Sequence, residues 1–161
     1  MRMAGMLTMA ALAIGTAATP AARTAAAPPA AAGGHAHAHP TVGPHGGSLI
    51  ELGKEDYHAE LVHDEATATV TIHILDGAAA KPVPIPARRL ALNLRAAGKP
   101  RQFLLTAAPQ AGDPEGTSSA FTATDEQLCA ALHAAGASGR LNVEIAGRQY
   151  VGKVSAHTHA H

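Results

Sequence analysis

Between Thr67 and Leu75 the chain alternates strictly, with Ala68, Val70, Ile72 and Ile74 apolar and Thr67, Thr69, Thr71 and His73 polar. Successive side chains of an extended backbone project to opposite faces, so this run buries one face and wets the other only as a β-strand. The same period of two recurs on both sides. Tyr57, Ala59 and Leu61 alternate with His58, Glu60, Val62 and Asp64; Leu90, Leu92 and Leu94 follow; Leu141, Val143 and Ile145 come last, before Ala146-Gly147 and a returning run from Tyr150 to Val154. Ser48–Leu52, Gln102–Ala107 and Ser119–Ala123 read as further short strands. Lys81–Pro86 carries Pro82, Pro84 and Pro86, which lack ladder donors and place it at an edge or in a loop. One helix is expected near residues 125–135, with Thr124 as its cap, Gln127 as capping-box partner, Gly136 at its C-terminal end and a stripe of Leu128, Ala131, Leu132 and Ala135. The fold expected is mainly β, an antiparallel sandwich or barrel-like domain over residues 46–156 with this one short helix.

The segments outside that domain have another character. Met1-Arg2 followed by the almost uncharged run Met3–Ala18 has the form of a secretory signal, with cleavage after residue 18 or as late as residue 22. The run is too short and too rich in Ala to span a membrane, and no later stretch is apolar enough. Residues 19–45 read as a disordered linker, first rich in Ala and Pro and then in His, and residues 157–161 as a His-rich tail. Periplasmic or secreted localisation follows.

Composition excludes several classes. Lys plus Arg equals Asp plus Glu, 12 against 12, so no charge surplus drives phosphate or anionic-lipid binding. With two Tyr, two Phe and no Trp, a base-stacking platform is also missing, and nucleic acid is not an expected partner. The single Cys129 rules out an internal disulfide, a Cys-based zinc finger and an iron–sulfur cluster. There is no G-x-S-x-G elbow and no H-E-x-x-H motif, and the carboxylate pairs fall at turns or the helix start. An enzyme is not indicated.

Histidine is the exceptional residue, with 11 copies. His35, His37 and His39 lead into the domain, His45 precedes Gly46-Gly47, and His157, His159 and His161 close the chain. Residues i, i+2 and i+4 of an extended segment project to one side, so each triplet can turn three imidazoles toward one point. Neutral imidazole suits Zn²⁺, Cu²⁺ and Ni²⁺, and these seven histidines are the expected metal ligands. If the chain ends lie close together, both triplets and His45 would share one ion. Cleavage after Ala32 would instead expose Gly33-Gly34-His35, an amine–amide–imidazole set for square-planar Cu²⁺ or Ni²⁺, although the apolar region ends too far upstream for typical processing. Among the remaining histidines, His58 and His63 fall on opposite faces of one strand. His73 faces outward, where pairing would bring it near His58, Glu60 or Asp64, and His133 reads as solvated on the helix flank. Cys129 reads as a small core residue.

The stretch His45-Gly46-Gly47-Ser48-Leu49-Ile50-Glu51-Leu52-Gly53, with Tyr57–Val62 and Ile74-Leu75-Asp76, resembles a small β-rich module near the N-termini of some periplasmic adaptor subunits of heavy-metal efflux pumps. It also resembles small stand-alone exported bacterial proteins with the same His-Gly-Gly opening. The resemblance covers roughly residues 45–85 and implies metal handling in the periplasm beside a pump, with His45 as the one ligand carried over. The chain lacks the long helical hairpin and the length of a full adaptor. The expected function is therefore an exported, non-catalytic binding protein for a divalent transition metal, buffering or delivering it near an efflux component. The alternative is a structural or interaction module of the cell envelope whose metal affinity is incidental.

Overall fold

A computed structural model describes residues 40–155. The expected signal segment, the linker up to residue 39 and the tail from residue 157 lie outside the described residues. Among these residues eight strands follow in chain order: β1 (Ser48–Leu52), β2 (Tyr57–Asp64), β3 (Thr69–Asp76), β4 (Arg89–Ala96), β5 (Lys99–Ala107), β6 (Ala120–Thr124), β7 (Ser138–Ile145) and β8 (Arg148–Ser155). A single helix, α1 (Glu126–His133), stands between β6 and β7. All neighbouring pairs are antiparallel, in the spatial order β1-β2-β3-β6-β5-β4-β7-β8. The sheet curls into a nearly closed barrel. Its first and last strands meet so tightly that a Cβ on Gly152 would lie 2.5 Å from Ile50 Cγ2 and 2.9 Å from Leu52 Cδ2. Tyr57 and Tyr150 meet edge to face near the same seam, with ring centroids 5.4 Å apart.

The alternating apolar residues line the inside. Ala59 and Leu61 of β2, Val70, Ile72 and Ile74 of β3, Leu90, Leu92 and Leu94 of β4, Leu141, Val143 and Ile145 of β7 are buried together with Phe121. Removing these side chains from water is the main favourable term holding the barrel. Ala68, expected inward at the head of β3, instead sits in the β2–β3 turn with φ +51°, and the strand starts one residue later. The β4–β5 turn is tight. Ala97 and Gly98 alone make it, both with positive φ, and Ala96 pairs directly with Lys99. Pro100 is tolerated inside β5 because β5 bonds β6 only at Thr106 and Ala107, so its first half faces no ladder on that side. The proline segment behaves as a loop with two isolated bridges, Leu75 to Pro82 and Ile85 to Ser118. Val83 and Ile85, between the prolines, donate their N–H groups to Ile74 and Ser118 at 2.9 and 3.0 Å.

Helix α1 is capped by Asp125 rather than Thr124. The Asp125 carboxylate accepts from the N–H groups of Gln127 and Leu128 at 2.7 and 3.1 Å, while Thr124 stays in the sheet with its hydroxyl 3.1 Å from that of Thr69. The helix ends at His133 with Ala134 as its C-terminal cap in extended conformation, so Gly136 (φ +69°) belongs to the following turn. Leu128, Ala131 and Leu132 are buried. Running from the end of β6 to the start of β7, α1 closes the end of the barrel where β2 finishes and β3 begins. Among the described residues no helix is long and apolar enough to cross a membrane.

Candidate metal centre

The loop before β1 is wrapped around one carboxylate. Glu60 occupies an outward position of β2, directly opposite His73 of β3, yet it is fully buried. The cover is the segment Gly43-Pro44-His45-Gly46-Gly47. Its turn is closed by Gly46 N–H donating to the Gly43 carbonyl at 3.0 Å and Gly43 N–H donating to the Gly47 carbonyl at 2.9 Å. Glu60 Oε1 accepts from the backbone N–H groups of His45 and Gly47, each at 2.8 Å, and Oε2 takes His45 Nδ1 at 2.7 Å. The glycines are required by proximity. A Cβ on Gly43 would fall 2.4 Å from Glu60 Cδ, and one on Gly47 would fall 2.4 Å from the Leu61 carbonyl oxygen.

This arrangement leaves His45 able to act as a ligand. A carboxylate oxygen accepts, so Nδ1 carries the proton, and in the neutral ring Nε2 is the nitrogen with the free lone pair. A carboxylate behind the other ring nitrogen is the outer-shell partner that metal-binding histidines usually have, fixing tautomer and orientation together. The side chain of His45 is 46% exposed, so the ring remains reachable from solvent. It lies flat on His73, with centroids 3.8 Å apart and planes 6° from parallel. Burial, and then the neighbouring His45 ring, hold His73 below the usual imidazole value, with Glu60 pulling the other way. His73 is therefore neutral near pH 7 and retains a lone pair. Sequence pairing anticipated His73 beside Glu60; it did not anticipate that His45 would close over both.

The other six expected ligands, His35, His37, His39, His157, His159 and His161, lie outside the described residues. Their attachment points are described. Thr41, two residues after His39, and Ser155, two residues before His157, line one small cleft of about 220 Å³ together with Ser48, Ile50 and Lys153. Thr41 is tied there by its carbonyl accepting from Leu49 N–H at 3.0 Å, and Val42 bridges to Ser48.

A second cluster was not foreseen. His63 continues the inward row of Ala59 and Leu61 at the end of β2, opposite Val70, and meets the ring of His133 edge-on at 4.7 Å. His133 is exposed on the helix flank, as expected, and its Nε2 lies 3.5 Å from Glu65 Oε1 in the β2–β3 turn. The local sequence has no signal for this contact, because 70 residues of chain separate His63 from His133. His58 is buried, with Nδ1 3.3 Å from the Asp76 carbonyl oxygen. Burial first, then Asp125, Glu65 and Glu126, push the Cys129 thiol above its usual value, which keeps it an unreactive thiol.

A wide cleft of about 980 Å³ lies across β4, β5, β7 and β8 and is lined by Arg95, Arg101, Arg140 and Lys153 with no carboxylate among its lining residues. Arg140 and Lys153 are direct cross-strand partners. A scan against protein-family models, a search of curated proteins and a search of solved structures each returned no match.

Proposed function

We propose that this chain is an exported, non-catalytic binding protein for a divalent transition metal, Zn²⁺, Cu²⁺ or Ni²⁺, held by the histidines that flank the barrel. The observation that carries the reading is the convergence of Thr41 and Ser155 on one cleft. Each lies two residues from a His triplet, and a chain reaches at most about 3.3–3.6 Å per residue, so the nearest imidazole of each triplet, His39 or His157, is tethered within about 7 Å of backbone from the same place. His45, four residues from Thr41, supplies the one ligand oriented in advance. Fixing a backbone costs roughly 1–2 kcal/mol of entropy per residue, so a ligand already held by the fold raises affinity by lowering that cost. Buffering or delivery beside an efflux component in the periplasm is the role that the resemblance of residues 45–85 supports.

The test is native mass spectrometry of the tag-free mature protein titrated with Zn²⁺, Cu²⁺ and Ni²⁺. The expected result is a saturable complex that disappears when all seven flanking histidines become Ala. It also weakens as pH falls through about 6, where free imidazoles protonate. A ladder of weak adducts identical in the variant contradicts the proposal. The cationic cleft favours a second reading, an interaction module of the cell envelope that docks an acidic surface. Like charges opposed across strands, as Arg140 and Lys153 are, cost stability that such a partner would recover.

A further inference from the structure

We infer that His63, Glu65 and His133 form a second metal site, independent of the flanking histidines, at the barrel end closed by α1. The donor atoms of the three residues all lie within 4.8 Å of one another. Donors around a tetrahedral ion with bonds of about 2.0 Å are about 3.3 Å apart, so rotamer adjustments of an ångström or so close the set. One edge is already that length, His133 Nε2 to Glu65 Oε1 at 3.5 Å. Two imidazoles and one carboxylate are the donor set of an open Zn²⁺ site, with a fourth position left for water or an exchangeable ligand.

The placement supports a cation. His63 comes from the inner face of a strand whose neighbours Leu61 and Val70 are buried, and its Nε2 is itself buried, so the ring is held by packing. His133 is the last residue of α1, where the partial negative charge of the helix terminus favours a positive ion. Glu65 and His133 are both exposed, with 66% and 34% of their side chains accessible, and provide a wet side for entry. The ion would bind the β2–β3 turn to the helix, two elements far apart in sequence. His45, Glu60 and His73 lie on the outer face of the sheet, whereas His63 belongs to the inner face of β2. The two centres are therefore separate.

The experiment uses the full tag-free chain with the seven flanking histidines changed to Ala, titrated with Co²⁺ and then Zn²⁺ alone. One equivalent of Co²⁺ is expected to bind with the strong visible absorption of four-coordinate cobalt, and Zn²⁺ is expected to displace it. Glu65→Gln and His133→Ala, both at accessible positions, should weaken that binding at least tenfold while the metal-free melting curve stays within a few degrees of the parent. His63→Ala should abolish it; if that variant fails to fold, the other two decide. No saturable Co²⁺ in the seven-Ala chain, or undiminished binding in Glu65→Gln and His133→Ala, overturns the inference. Loss of the flanking site alone would leave this one intact, so the two proposals fail separately.

Discussion

Glu60 shows how one residue organises the candidate centre. A carboxylate with no exposure is tolerable only when its oxygens are satisfied, and here two backbone N–H groups and the His45 ring satisfy them. Glu60→Gln replaces one acceptor with a donor facing those groups. It should cost about 2–3 kcal/mol in urea unfolding and weaken Zn²⁺ binding about 10- to 100-fold, since His45 loses its orienting partner. A variant with unchanged affinity would show that His45 binds without help from Glu60. Asp113 provides a pH test of stability. Burial pushes its carboxyl up, but the N–H groups of Gln110 and Ser119 and the Ser119 hydroxyl together hold it below the ordinary value. A carboxylate lowered in the folded state contributes stability above its unfolded value of about 3.9 and loses it as pH falls through the folded one. Asp113→Asn should therefore destabilise by less than about 1 kcal/mol near neutral pH, solvent screening included, and the gap should close below about pH 4 in urea melts.

At the level of elements, the cap of α1 distinguishes two neighbouring residues. Asp125→Ala should lower stability by about 1 kcal/mol, whereas Thr124→Ala at an exposed strand end should change it by less than about 0.5 kcal/mol; equal effects in thermal melts would contradict the capping geometry. The strands were legible because a barrel buries one face of each, leaving the period of two in runs such as Val70–Ile74 and Leu90–Leu94. The exact cap was not, since Thr124 and Asp125 both suit an N-cap and only the pairing of Thr124 with Thr69 excludes the first. The loop over Glu60 shows the same limit. Glu60 alternates like a solvent-facing residue, and its burial comes from a segment about 15 residues upstream that no periodicity records. His73 opposite Glu60 followed from local pairing; the meeting of His63 with His133 depended on where the helix crosses the barrel.

For the whole molecule, curling the sheet until β1 reaches β8 is what brings the two ends of the domain together. A flat sheet in the same strand order would hold Thr41 and Ser155 seven strand spacings apart, roughly 33 Å at about 4.7 Å each, so His39 and His157, each within about 7 Å of backbone from its anchor, would not meet at one ion. The proposed function therefore follows from closure as much as from histidine content. Its most direct test is the stoichiometry of Zn²⁺ binding, by native mass spectrometry and calorimetry, in three tag-free chains: wild type, the His35, His37 and His39 to Ala variant, and the His157, His159 and His161 to Ala variant. Ions at the barrel end are subtracted with His133→Ala in each background. One shared ion predicts a single equivalent in wild type, weakened at least tenfold by either set of substitutions. Two equivalents in wild type, with each variant losing only one and keeping the other at full affinity, would show that the ends bind separately and contradict the account.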